Sequence, residues 1–192
     1  MIEFNESTHT YTLNGKVLPS VSTILGATIF KDKYKDVDPY ILQRAAQFGT
    51  GVHKAIEIDD YFGLDDLQYT VFKRYKKLCK KHDIKPIAHE QIVYTQDYAG
   101  TLDMIALIDN VNCLADVKTT YNLDREYLSW QLSLYEMAYM KLYNKPQFDK
   151  LYCIWLPRRK GAELVEIERK LPQEIDWLLK KYKEIIENEW ND

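Results

Sequence analysis

The chain predicts a mixed α/β fold, a mixed central β-sheet flanked by helices. Three features predict it: a turn-punctuated run of three strand-like segments between positions 87 and 120, a long apolar-faced helical segment directly after them, and two more strand-like segments before a last helix. Helices first, then a sheet, then a helix packed across it and further strands make a mixed sheet covered by helices. At 192 residues, one domain spanning 1–192 accommodates the whole pattern.

The elements follow in order. "THTYTL" and "KVL" flank Asn14-Gly15, a strong two-residue turn signal, so an N-terminal β-hairpin is expected. In "PSVSTIL", Ser20 or Ser22 can cap a short helix. Asp38-Pro39 reads as an N-cap and first helical position for "YILQRAAQF". Gly49 and Gly51 are expected to interrupt that helix, with Thr50 capping a new one, "GVHKAIEIDDYF". From about Asp65 to His82, Val71, Phe72, Tyr75, Leu78 and Cys79 fall at helical spacing with lysines opposite, and Pro86 ends the region. "IAHEQIVYT", "GTLDMIALI" and "NCLADVKTT" then read as three antiparallel strands, the last two joined by a turn at Asp109-Asn110. Asp124 can cap a long helix over "REYLSWQLSLYEMAYMKLY". "FDKLYCIWL" and "AELVEIERK" are further strands, and Pro172 starts a final helix ending near Trp190.

Composition narrows the class. A hydrophobic share of 46% beside a charged share of 29% is that of a globular protein. No apolar run approaches the ~20 residues that span a bilayer, and the first residues lack a signal-peptide layout, so a cytoplasmic location is expected. Cys79, Cys113 and Cys153 are far apart, without a CxxC pair, which suggests neither a disulfide framework nor a zinc site. A net charge of −3 argues against coating nucleic acid by bulk electrostatics. The run "KRYKKLCKKH" nevertheless places Lys73, Lys76, Lys77, Lys80 and Lys81 together, either as a solvated helix face or as a phosphate track. Fifteen tyrosines make stacking on unpaired bases chemically available. No GxxxxGK[ST] loop occurs, so no ATP-driven motor is expected within the chain.

The chemistry centres on "CLADVKTT". Three acid-x-lysine triplets occur: Asp83 with Lys85, Asp116 with Lys118, and Glu168 with Lys170. Alternation along a strand aims the two members of each at one face. Only Asp116 has an upstream partner, Asp103, inside an apolar strand, with a turn between that sets the two across adjacent strands. Ionised carboxylates in such strands are costly unless paired or metal-bound. Two of them beside one lysine suit divalent-metal phosphoryl chemistry: oxygen ligands hold Mg²⁺ or Mn²⁺, and the lysine positions or deprotonates water or supplies a point charge.

With those residues in view, "AGTLDMIALIDNVNCLADVKTT" resembles the core motif of the PD-(D/E)xK nuclease superfamily, Asp103 matching the first acid and Asp116 with Lys118 the second half. "GTGVHKAIE" is similar to the Gly-x-x-His signature of the RecB-like exonuclease branch, which places His53 as a metal ligand. "WQLSLYEMAY" is similar to that branch's Gln-x-x-x-Tyr motif, with Gln131 and Tyr135 on one helix face. "HTYTLNGKVLPSVSTIL" resembles the phage and mitochondrial single-strand exonuclease group. The resemblance covers roughly residues 9 to 140; the final stretch is generic strand and helix.

The resemblance implies a restriction-endonuclease-like core and a Mg²⁺- or Mn²⁺-dependent deoxyribonuclease. It would be an exonuclease on single-stranded or free-ended DNA, in phage or host recombination, repair or replication, with a helicase or recombination protein as a possible partner. It implies His53, Asp103, Asp116, the Val117 carbonyl and Glu90 as ligands to one or two ions, Lys118 assisting catalysis, and Gln131 and Tyr135 holding the lysine or the DNA backbone. The early cysteine and late cysteine cluster of the iron–sulfur members are absent, so no such cluster is expected. Two other readings stay open: a structure-specific endonuclease or nickase, and a non-catalytic nucleic-acid-binding module on the same fold.

Overall fold

The computed structural model describes residues 1–189. Three antiparallel strands open the chain: β1 (Ile2–Asn5), β2 (Thr10–Leu13) and β3 (Lys16–Leu18), in the order β1-β2-β3. The Asn14-Gly15 hairpin is present between β2 and β3, and β1 adds an edge strand that the sequence reading did not expect. Its four residues alternate half-buried and exposed, with Phe4 stacked on Tyr11 at 4.6 Å; a strand so short carries little pattern of its own.

Helix α1 (Val21–Thr28) is capped by Ser20, whose Oγ accepts from the Thr23 N–H. Helix α2 (Pro39–Ile58) starts at the Asp38 cap but is one continuous helix, so the expected break at Gly49 and Gly51 does not occur. Thr50 is no cap; its hydroxyl donates back to the Ala46 carbonyl at 3.1 Å. Each helical glycine costs roughly 1 kcal/mol against alanine, which the packing of Phe48, Val52, Ala55 and Ile56 offsets. Gly51 has a contact reason: a Cβ there would sit 2.3 Å from Gln68 Nε2, which donates to the Phe48 carbonyl at 3.2 Å. Helix α3 (Asp66–Lys81) opens on a capping box of Asp65 and Gln68.

The main sheet has the order β4-β5-β6-β7-β8, with β4 (Lys85–Tyr94), β5 (Ala99–Ile108), β6 (Val111–Lys118), β7 (Lys150–Trp155) and β8 (Glu163–Ile167). Pro86 lies inside β4 at the sheet edge rather than before it, where its missing N–H is harmless. All pairs are antiparallel except β6–β7, whose crossover is α4 (Arg125–Tyr143), capped by Asp124. Helix α5 (Pro172–Glu189) closes the described chain; the expected helix end at Trp190 lies outside the described residues. The fold is thus mixed α/β, with a five-stranded mixed sheet flanked by helices and a separate N-terminal antiparallel sheet.

Both faces of the sheet are covered. Leu114, Ile105 and Leu151 pack with α1, α4 and α5, while Met104, Cys113, Ala115 and Val117 pack with α2 and α3. Strand β6 is therefore buried on both sides, which is why its text reads as a continuous apolar run rather than an alternation. Cys113 and Cys153 are fully buried core residues. Among the described residues no helix is long and apolar enough to cross a membrane.

Candidate active site

Position along β6 decides which acid-x-lysine triplet matters. Asp83 and Lys85 form an exposed 2.7 Å pair at the surface, and Lys170 turns to Glu126 at 2.6 Å instead of joining Glu168. Asp116 is 2% exposed, on the strand face that carries Leu114 and looks toward α4. Lys118 Nζ donates to Asp116 Oδ1 at 2.7 Å; Oδ2 lies equally near but has no hydrogen-bond partner. Burial pushes the Asp116 carboxyl upward, against the pull of Lys118. Burial also works to lower Lys118, but the charges of Asp116 and Asp103 outweigh it and raise the ammonium above its ordinary range.

Asp103 sits where the β5–β6 ladder stops, one step beyond the Met104–Ala115 pair. Its Oδ2 accepts the Val117 N–H at 2.8 Å, so the carboxylate stands in for the missing ladder partner and is held beside the Val117 backbone. From α2, His53 Nδ1 approaches the same Oδ2 to 3.6 Å. Glu90, from β4, completes a group: ligand atoms of His53, Glu90 and Asp103 all lie within 4.8 Å of one another.

Glu90 occupies this position through an unusual backbone. Its φ is +46° in mid-strand, between the His89–Met104 and Gln91–Leu102 pairs. A left-handed glutamate costs of order 1–3 kcal/mol and persists where the surroundings over-determine it. Glu90 is exposed at its surface, but the protein packed around its carboxyl, then the charge of Asp103, pushes it up to about 7, against the opposing pull of His53.

Helix α4 supplies the fourth wall. Gln131 and Tyr135 are each 8% exposed, and Gln131 Nε2 donates to the Tyr135 hydroxyl at 3.3 Å, leaving Oε1 unpartnered. Burial, then Asp103 and Asp116, raises the Tyr135 hydroxyl well above its usual range, so the ring lies within electrostatic reach of both carboxylates. The ring enters over Gly100, where a Cβ would be 2.3 Å from Tyr135 Cε1. Sequence reading did not single out Gly100, although a lone glycine inside a strand pattern is the available signal of close approach.

The predicted residues divide as follows. His53, Glu90 and Asp103 converge; buried Asp116 pairs with the half-buried Lys118 on the face toward α4, Asp116 standing outside the group of three; Val117 is buried and contributes its N–H to Asp103. Glu57 pairs with Lys54 at 2.9 Å. Lys73, Lys77, Lys80 and Lys81 are exposed on the solvent face of α3, and Lys76 is engaged by Asp59 at 2.6 Å.

The donor set fits a divalent cation. Carboxylate oxygens and one imidazole suit Mg²⁺ or Mn²⁺. The three carboxylates Glu90, Asp103 and Asp116 face one ammonium, Lys118, which leaves negative charge in excess. Asp116 Oδ2 and Gln131 Oε1 are the buried side-chain polar atoms without a partner among the described residues, and both belong to this site.

No known protein family matches the chain, and no curated protein matches it. Among solved structures, the crystal structure of SSO0001 is similar at a TM-score of 0.33 and 13% identity, over 62% of this chain and 56% of that one. So distant a likeness informs neither fold family nor function.

Proposed function

We propose that this chain is a metal-dependent DNA exonuclease with a restriction-endonuclease-like core, acting on single-stranded or free-ended DNA. The observation that carries the reading is the convergence of His53, Glu90 and Asp103 beside an Asp116–Lys118 pair whose buried carboxylate keeps one unpartnered oxygen. His53, Glu90 and Asp103 would hold Mg²⁺ or Mn²⁺, with Asp116 Oδ2 and the Val117 carbonyl as further ligands. A bound divalent ion supplies Lewis-acid polarisation of a phosphoryl oxygen and neutralises charge that builds on it.

The side chains of the protein do the rest. Lys118, held cationic by its carboxylate neighbours, is a fixed positive charge and hydrogen-bond donor for the phosphate in the transition state. Asp103 orients His53 and anchors the Val117 backbone. Gln131 and Tyr135 close the α4 side and keep water ordered or out.

The test is end-labelled DNA, single- and double-stranded, linear and circular, incubated with Mg²⁺, Mn²⁺ or a chelator. Asp116→Ala and Lys118→Ala are expected to lower divalent-dependent hydrolysis by ~10²–10³-fold with the circular dichroism spectrum retained. Full activity in either variant defeats the assignment. Cleavage of a covalently closed single-stranded circle would move the reading to an endonuclease or nickase. Absence of any heat of divalent-ion binding would favour a non-catalytic binding module.

A further inference from the structure

The loops around Lys118 carry exposed aromatic rings that the core does not use. Tyr121, three residues past Lys118, is 68% exposed, and Lys160 Nζ lies 5.4 Å from its ring centroid. Lys160 also lies 5.6 Å from the Trp155 ring. Trp155 pairs with Lys118 in the β6–β7 register, and its Nε1 donates to the Thr120 carbonyl at 2.9 Å. Tyr121, Trp155 and Lys160 therefore form one unit fastened to the strand end that bears Lys118. No carboxylate lies within ion-pair distance of Lys160 among the described residues, so its charge is not neutralised.

A second exposed ring stands beside α4. Tyr34, in the turn-rich segment before α2, is 54% exposed, with Lys33 Nζ 5.7 Å from its ring. Lys33 is fixed by the Tyr127 ring at 3.4 Å and by Asp124, the α4 cap, at 2.8 Å. A cleft of about 550 Å³, lined by residues 28–33 and Asp124, opens there. Burial raises the Tyr34 hydroxyl, and the charge of Lys118 partly offsets it.

We infer that Tyr34 and Tyr121, the latter with Lys160, are the stacking platform that holds unpaired nucleotides of a single strand at the mouth of the site. An exposed ring offers a face to any base, and an adjacent ammonium meets the phosphate beside it. One exposed ring on the connection that leaves Lys118 and another on the segment that packs against the α4 cap fit an unpaired chain led toward Lys118, whereas a duplex presents no free base face. The inference rests on the nuclease reading for its direction, since it takes Lys118 as the point the strand approaches.

Fluorescence anisotropy with a fluorescein-labelled oligothymidylate in EDTA, where no hydrolysis occurs, tests the platform. Tyr121→Ala and Tyr34→Ala are each expected to weaken binding about tenfold, while Tyr121→Phe and Tyr34→Phe bind as the parent does. An abasic strand of equal length should bind the parent poorly and be indifferent to the alanine changes. Lys160→Ala should reduce the slope of log K against log salt by about 0.7. Both rings are exposed, so unchanged melting temperatures are expected and confirm that the variants fold.

Alanine variants that bind as tightly as the parent overturn the platform, as does an abasic strand bound as well as the thymidylate, or a parent that binds neither. Binding with this tyrosine dependence but no Mg²⁺-dependent degradation would leave the platform standing and remove the nuclease. Degradation with tyrosine-independent binding would do the reverse.

Discussion

Glu90 offers the sharpest test, because backbone and side chain make separate predictions there. Its φ of +46° is in the left-handed region, and its carboxylate is one of three groups that converge. Glu90→Ala removes the carboxylate and keeps the strain; Glu90→Gly removes both. A left-handed L-residue costs roughly 1–2 kcal/mol. Glycine escapes that cost but loses about 0.5–1 kcal/mol of extra chain entropy on folding. The glycine variant should then be more stable than the alanine variant by about 0.5–1 kcal/mol, or roughly 1–4 °C in melting temperature at this chain length. Urea denaturation at pH 7.5 without divalent ions measures the difference, and calorimetric titration with Mn²⁺ measures what the carboxylate does. Both variants should bind Mn²⁺ at least tenfold more weakly than the parent. A glycine variant no more stable than the alanine one would show that the backbone at this position is unstrained. Parent-like Mn²⁺ affinity in either variant would remove Glu90 from the ligand set.

Two further outcomes follow from the same geometry. Glu90 is pushed up to about 7 and Asp116 is also raised by burial, so the folded chain binds more protons than the unfolded one between the ordinary carboxylate range and about pH 7. Stability of the metal-free protein should fall as pH rises through that window. Scanning calorimetry from pH 4.5 to 8 should show the fall, Glu90→Gln should reduce it, and Mg²⁺ should raise the melting temperature more at pH 8 than at pH 5; a rising profile contradicts the assignment. Gly100→Ala drives a Cβ to 2.3 Å from the buried Tyr135 ring and should cost about 1–3 kcal/mol, whereas Gly51→Ala meets only the movable end of Gln68 and gains helix propensity, so it should be near neutral in thermal melts.

Much of the element order was legible because local signals and tertiary demands coincide. Asp38-Pro39, Asp65, Asp124 and Asn14-Gly15 each satisfy backbone groups within a few residues of themselves, and each marks a real boundary or turn. The pairing of Asp103 with β6 was legible because a short turn at Asp109-Asn110 sets the register of β5 on β6. What could not be read depends on partners far along the chain. The continuity of α2 through Gly49 and Gly51 depends on the burial of Phe48, Val52, Ala55 and Ile56, with Gln68 of another helix against Gly51 and Thr119 against Gly49. The left-handed turn of Glu90 has no local signal, since glutamate rarely adopts it. The buried Glu136 is satisfied by Arg169 at 2.8 and 3.1 Å and by the Phe148 N–H, partners brought together only by the crossover. Nor does the text of "KDKYKD" tell that Lys33 packs on the Tyr127 ring and pairs with Asp124, the α4 cap.

The charge state of Lys118 bears on which role the site gives it. A lysine this enclosed would ordinarily titrate low, since burial disfavours its charged form. Here Asp116 and Asp103 reverse that effect, and the ammonium is held firmly protonated. A group in that state cannot take a proton from an attacking water; it can only donate a hydrogen bond or stabilise negative charge. The same carboxylates that a divalent ion would share are therefore what keep the lysine cationic, so on the nuclease reading proposed above Lys118 would serve as a positive charge for the phosphate rather than as a base. Lys118 keeps about a quarter of its side chain exposed, and its 2.7 Å contact with the buried Asp116 carboxylate restricts the direction from which it presents its charge.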